Sequence, residues 1–375
     1  MAAAEPILAS SLWSAEGEST STVHVAPPTK RHQLAIGYSP IDDSLQGGFD
    51  HGSITCISAE AESGAKYLSY SLIAAHLLTS KRAEATVVDT TNSFDVRRLH
   101  RRLVTGLMRE GGRDGNHGDV RDDAVRVLER ARIMKAFDFV GLTECVAELR
   151  EGLEIPSKQA PGQQAVSAPR GTVGDSEDED EVEMLDAPTP PSKTVPPSPK
   201  ETHNLTNTSD RPSHLLIIDN ITYVTSPLLK NSHVQGQALL TTLMRSLEHV
   251  TRRHNVCTII HNTAVTYSNT NTSTSNNNNN STTAEPTLSI FASCALRPAL
   301  GKSFQYLLDL HLLLHRLPIS ASDAKAVYAA HGSIPKPENK LASVLEVMQD
   351  RYSGRVGHWS AFRIDVEGNL AAVSS

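Results

Sequence analysis

The chain has 375 residues, 39% of them hydrophobic and only 5% aromatic, with 20 prolines and 22 glycines, so it can build a core that part of the chain does not join. Its formal charge of −7 is localised: eleven acidic and five basic residues lie between Glu154 and Arg211, and the remainder is close to neutral. That balance does not announce a nucleic-acid-binding body, and no apolar run reaches the roughly 18 residues of a membrane span.

The first eleven residues carry no basic flank before their short apolar stretch, so no secretory signal is expected. Cys56, Cys145, Cys257 and Cys294 lie far apart without a CxxC pair. They predict reduced, buried thiols in a cytosolic or nuclear protein rather than a zinc site or a disulfide framework.

Three segments read as disordered. Residues 1–33 are small and polar, with Pro27-Pro28, and residues 154–212 combine prolines, serines and an acidic block. In 266–286, seventeen of twenty-one residues are Ser, Thr or Asn. What remains, within 34–375, is about the length of one large α/β domain.

The remaining pieces alternate strand and helix. Ile54–Ser58 is a buried strand, and a helix runs from Gly64 to Thr79. Thr86–Asp89 is the next strand, followed by a helix striped by Val96, Leu99, Leu103 and Leu107. Arg132–Phe137 is a third strand, before a helix carrying Leu142, Val146, Leu149 and Leu153. Leu215–Asp219 is a bare apolar strand ending in an aspartate. The helix Gln235–Arg253 leads to the strand Val256–His261. Runs apolar on both sides, separated by helices, predict a mostly parallel sheet covered on both faces. Tyr306–Leu314, Leu345–Gln349 and Trp359–Ile364 lack clear helices between them and predict antiparallel strands added at one edge.

Between the first strand and its helix stands Ala59-Glu60-Ala61-Glu62-Ser63-Gly64-Ala65-Lys66. A phosphate-binding loop reads GxxxxGK[ST] in this context; its backbone N–H groups wrap phosphates, its lysine reaches the terminal ones and its hydroxyl holds magnesium. Here Ala59 stands for the first glycine, Ala65 for the lysine and Lys66 for the hydroxyl residue, and only Gly64 survives. A one-place shift turns a side chain by about 100° around the helix, so Lys66 does not simply replace the missing lysine.

The basic helix bearing Arg97, Arg98, His100, Arg101 and Arg102 reads first as the solvated face opposite the leucine stripe, and second as a phosphate-contacting surface.

An ordered series of segments resembles the eukaryotic RecA-like DNA recombinases. It begins with Ile41-Asp42-Asp43-Ser44-Leu45-Gln46-Gly47-Gly48-Phe49 and Gly52-Ser53-Ile54-Thr55. Val88-Asp89-Thr90, Ala136-Phe137-Asp138 and Leu216-Ile217-Ile218-Asp219-Asn220 resemble the second, third and Walker B strands. Arg253-His254-Asn255-Val256 and His261-Asn262 resemble the strand before the second DNA-binding loop. Pro298-Ala299-Leu300-Gly301-Lys302 and Arg351-Tyr352-Ser353-Gly354-Arg355, with Trp359 and Phe362, resemble the C-terminal signature. The series covers roughly residues 36–370 apart from the inserts and is most similar to the paralogue, or recombination mediator, branch.

The resemblance implies a RecA-like P-loop core without the family's helical N-terminal domain, and a nucleotide site at Ala59, Ser63, Gly64, Ala65, Lys66 and Asp219 for ATP and magnesium. It also exposes departures. Thr91 stands where the family has its water-activating glutamate, and a threonine is no general base near neutral pH. Thr263 stands where a glutamine senses the terminal phosphate. DNA contacts are implied at Lys230 and His233, in the Ile221–Gly236 region of the first DNA-binding loop, and at Arg297 and Lys302 around the second. The implied function is a nuclear subunit of homologous-recombination repair that hydrolyses ATP weakly or not at all. Its implied partners are other recombinase paralogues and the main recombinase, with single-stranded DNA met through the complex; no membrane is involved. Two alternatives stay open at this point: an active DNA-dependent ATPase with an atypical loop, and a RecA-fold scaffold of an Elongator-like complex.

Overall fold

The computed structural model describes residues 32–110, 117–154, 213–266, 289–329 and 340–373. Apart from 151–154, which belong to a second unit, these lie in one compact unit. Most of the segments expected to be disordered lie outside the described residues. The exception at the N-terminal side is Gln33, which opens a strand rather than closing a tail.

That strand, β1 (Gln33–Leu34), pairs antiparallel with β2 (Phe49–Asp50) around helix α1 (Ser39–Ser44). Gly48 makes the approach possible. Its φ is +121°, and a Cβ there would lie 2.2 Å from the carbonyl oxygen of Leu34, so only glycine fits.

The main sheet begins with β3 (Ile54–Ala59) and helix α2 (Ala65–Thr79). There follow β4 (Glu84–Asp89), α3 (Val96–Glu110), α4 (His117–Leu128), β5 (Ala131–Lys135) and α5 (Phe139–Glu154). Beyond the insert come β6 (His214–Asp219), α6 (Ile221–Asn231), α7 (His233–His254) and β7 (Cys257–Thr266). The C-terminal part holds β8 (Leu296–Pro298), α8 (Gly301–Gln305), β9 (Leu310–Pro318), α9 (Ala321–Ala329), β10 (Leu341–Asp350), β11 (Trp359–Ile364) and β12 (Leu370–Ala371).

The strands run in the order β12-β11-β10-β9-β3-β7-β6-β4-β5, with β8 added to the end of β7. From β9 to β5 every pairing is parallel. The mixed α/β class, with a mostly parallel sheet flanked by helices, is therefore as expected. All six residues of β6 are buried, as befits a strand covered on both faces. Ile57, Leu72, Ile73, Val87, Leu103, Ile217 and Ile259 belong to one continuous core between sheet and helices.

Two expectations need correction. The 306–314 segment is not an antiparallel edge strand: β9 starts later, at Leu310, and lies parallel beside β3, inside the sheet. Only β10, β11 and β12 extend the edge antiparallel. Apolar alternation alone does not reveal strand direction, and that is where the reading failed. Second, Ile221–Gly236 is not a loop. Asn220 caps α6 by accepting from the Thr222 N–H, and Ser232 caps α7 by accepting from the Gln235 N–H. Asn, then Ser twelve residues later, was a readable pair of helix-start signals.

Candidate functional site: the C-terminal ends of four adjacent strands

The neighbours β3, β7, β6 and β4 bring the sequence-predicted site to one end of the sheet. Ala59 is in register with Thr263, Ser58 with Asn262, and Asp89 with Asp219. Carboxyl ends of parallel strands are where open α/β sheets bind ligands. The fold thus gathers Ala59, Asp89, Asp219 and Thr263 at one end of the sheet, and their side chains decide what the place can do.

The loop after β3 is tied to its neighbours rather than open. Ser63, almost wholly buried, donates its hydroxyl to the Glu60 carbonyl at 2.7 Å. The carboxylate of Glu60 accepts from the Arg316 backbone N–H at 2.9 Å, and Glu62 accepts from the Arg316 guanidinium at 3.1 Å. The two carboxylates of the turn thus hold Arg316, the cation that a polyphosphate there would need. Gly64 keeps a left-handed conformation at the start of α2, with φ +93°. A Cβ there would come within 3.2 Å of Ile364 and 3.5 Å of Phe362, so β11 closes over the turn. Ala65 offers only a methyl group. The ammonium of Lys66 donates to Ser93 Oγ at 2.6 Å.

The opposite wall is equally self-contained. Asp89 Oδ1 accepts from the backbone and hydroxyl of Thr91 at 3.0 and 3.1 Å, and its Oδ2 accepts from the Phe94 N–H at 2.9 Å. Thr91 also bonds Ser93. Asp219 lies 3.6 Å from His261 Nδ1, while His261 Nε2 meets Ser69 Oγ at 2.9 Å. Burial lowers the pKa of His261 against the pull of Asp219, which leaves a neutral imidazole. The Asp219–Asn220 peptide is cis.

Behind these groups runs a buried chain of hydrogen bonds. His311 Nε2 meets Ser58 Oγ at 2.8 Å, and Ser58 accepts from Asn262 Nδ2 at 2.9 Å. Thr222 donates to Asn262 Oδ1 at 2.5 Å and accepts from the Thr263 N–H at 2.9 Å. Asn220 Nδ2 donates to Thr263 Oγ1 at 3.0 Å. Sequence reasoning singled out Asn262 and Thr263 but missed Ser58, Ser69, Thr222 and His311, which no motif marks.

The residues present do not fit magnesium–ATP: Ala65 and Lys66 occupy the positions where a phosphate loop has its lysine and hydroxyl, Arg316 is taken up by Glu60 and Glu62, and the polar groups satisfy one another. Among the described residues, no cluster of three or more His, Cys, Asp or Glu side chains could hold a metal ion.

Beside the network opens a cleft of about 560 Å³, walled by Thr91, Asn220, Tyr223, Lys230 and Thr263 among others. Of the four residues proposed for DNA, Lys230 lines this cleft and His233 opens α7. Lys302 lies in α8, whose Ser303 donates to Gln237 of α7 at 3.2 Å. Arg297 lies in β8 opposite Val265. All four therefore sit on elements around the end of β7. The α3 arginines divide: Arg98 pairs with Asp95 at 3.4 Å and lies over the Tyr67 ring, and Arg102 bonds Asn369. Arg97, His100 and Arg101 border a second cleft with Val96 and Leu128.

No family model matches this chain, and no curated protein matches it. Among solved structures, the chain is similar to the crystal structure of the RadB recombinase, with a TM-score of 0.49 and 17% identity over 91% of this chain and 100% of that one.

Proposed function

We propose that this chain is a RecA-like subunit of homologous-recombination repair, of the recombinase-paralogue type, that hydrolyses ATP weakly or not at all. The proposal joins the ordered sequence resemblance to one structural observation. The strand–turn–helix and the neighbouring strand ends are retained, while the polar side chains at those positions are tied to other groups of the protein. Lys66 with Ser93, Ser63 with Glu60, and Thr263 with Asn220 are the three that carry it. In this reading the fold serves as a binding body. It associates in the nucleus with other paralogues and the main recombinase, and helps load or hold the recombinase filament on single-stranded DNA.

The test is affinity purification of the tagged full chain from its native cells, with calorimetric titration of magnesium–ATP into the purified protein. The expected result is co-purified recombinase relatives and no heat of nucleotide binding. Recovery of tRNA-modification subunits instead would overturn the recombination reading, and brisk, steady phosphate release would overturn that of weak or absent hydrolysis.

A further inference from the structure

Beside the strand-end network, on the same face of β9 as His311 and Leu313, three reactive side chains lie in the interior. Cys294 follows a turn at 289–293, His315 lies on β9 and Glu346 on β10. His315 and Glu346 are each 1% exposed, and His315 Nε2 stands 3.8 Å from Glu346 Oε2. That nitrogen makes no hydrogen bond among the described residues. Glu346 is fixed from the other direction: its Oε2 accepts from Ser289 Oγ at 2.6 Å and its Oε1 from the Ile290 N–H at 2.7 Å. Phe291 stacks edge-on against His315, with ring centres 5.5 Å apart. Cys294 packs with Ala264 and Leu313 beside Phe291 and Leu296.

We propose that Cys294, with His315 and Glu346, forms a peroxide-reactive thiol site on this chain. The thiol and the imidazole share Phe291 as a neighbour, and the imidazole faces a carboxylate that is itself held in place, the parts of an activated nucleophile.

The four cysteines are not equivalent. Burial pushes the Cys56 thiol up to about 12 and also raises Cys257 and Cys145. At Cys294 burial acts the same way, but the interactions with His315 and with the Leu296 backbone outweigh it and lower the pKa. His315 answers in the opposite sense. Burial opposes its charge, yet Cys294 and Glu346 overcome it and raise its pKa to about 9. A thiolate beside an imidazolium is the reactive form of the pair.

The step balances with one co-reactant, a small hydroperoxide. The Cys294 thiolate attacks the nearer oxygen, an S–O bond forms and the O–O bond breaks. The sulfur is oxidised to a sulfenic acid, the peroxide is reduced, and the His315 proton leaves with the departing oxygen as water. Cys294 is only 6% exposed, which selects for oxidants the size of hydrogen peroxide. An added oxygen would crowd Phe291 and Leu296, and through Leu296 the β8 strand that pairs with the end of β7.

The test treats the full chain with hydrogen peroxide in the presence of dimedone and maps labelled cysteines by mass spectrometry. Alkylation by iodoacetamide is followed in parallel from pH 8.5 to 6.5, in wild type and in His315→Asn. The expected result is labelling of Cys294 at least tenfold ahead of Cys145. Its alkylation rate should fall less steeply with pH than that of Cys145, and His315→Asn should restore the steep fall of an ordinary thiol. Should that variant not fold, the wild-type labelling order and pH profile decide. Labelling of Cys294 no faster than Cys145, or a wild-type rate falling about tenfold per pH unit, would overturn the proposal. So would unchanged reactivity in a folded His315→Asn protein.

Discussion

The ammonium of Lys66 stands 2.6 Å from the hydroxyl of Ser93, which follows β4. This contact is exposed, so it contributes little to stability. Lys66→Ala is expected to change unfolding free energy by less than about 0.5 kcal/mol in urea titrations and to leave ATP titrations flat. The triple variant Ala59→Gly, Ala65→Lys, Lys66→Thr should gain measurable magnesium–ATP affinity and still release phosphate negligibly, because Thr91 cannot activate water. Phosphate release by the triple variant would show that the base lies elsewhere.

Arg355 is the largest fully buried side chain among the described residues. It donates to Asp350 Oδ2 at 2.7 Å, to Asp50 Oδ2 at 2.9 Å and to the Leu45 carbonyl at 3.1 Å, joining β2 to β10. Removing one partner leaves the others buried and unpaired. Arg355→Met is expected to lose about 3–5 kcal/mol of stability, measured by chemical denaturation. A loss below about 1 kcal/mol would mean that water replaces the guanidinium.

Acid should weaken the fold in two stages. Burial lowers the pKa of both His76 and His311 to about 4 from 6.5. The unfolded chain binds those protons first, so stability falls as the pH drops from about 6.5 to 4, by roughly 2–3 kcal/mol for each histidine at the limit. Below that, Asp350 contributes. Burial raises its pKa, but Arg355 and the 352–353 backbone N–H groups outweigh burial and hold it below 3.8. Its stabilisation is present above that value and lost as pH falls through the lower folded one. Urea midpoints measured from pH 7 to 3 check both stages, and His311→Gln should flatten the first.

Single-stranded DNA should bind the isolated chain only weakly. Lys230 and His233 sit among neutral residues, and Tyr223, 62% exposed, is the one aromatic on that wall of the cleft. Binding by base stacking and phosphate contact wants several of each. Fluorescence anisotropy with a 30-mer is expected to give micromolar or weaker affinity at physiological salt, falling steeply as salt rises. Nanomolar affinity at that salt would contradict this.

Much of the sheet was legible because its strands are short apolar runs between striped helices. Leu99, Leu103, Leu142, Val146, Leu243 and Leu247 are buried where their spacing placed them. The direction of β9 was not legible, since Leu310 to Leu314 is apolar whichever way it runs. That Ala65, Lys66 and Thr91 stand where the resemblance expects a lysine, a hydroxyl and a glutamate could be read from residue identities alone. The hydrogen bonds around them could not. Ser58, Ser69, Thr222 and His311 are ordinary polar residues whose meaning comes from partners up to about 250 positions away. The Cys294, His315 and Glu346 cluster was hidden for the same reason.

The central place of β3 sets a timetable for making the protein. Ile57 is wholly buried between His261 on one side and Leu312 on the other, residues that leave the ribosome about two hundred and about two hundred and fifty positions later. At cellular rates of roughly 5–20 residues per second, the strand waits some ten to fifty seconds with both hydrogen-bonding edges open. An apolar strand in that state pairs readily with other chains. Yield in a heterologous host should therefore depend on chaperones that shield the nascent N-terminal half, more than on the stability of the finished fold.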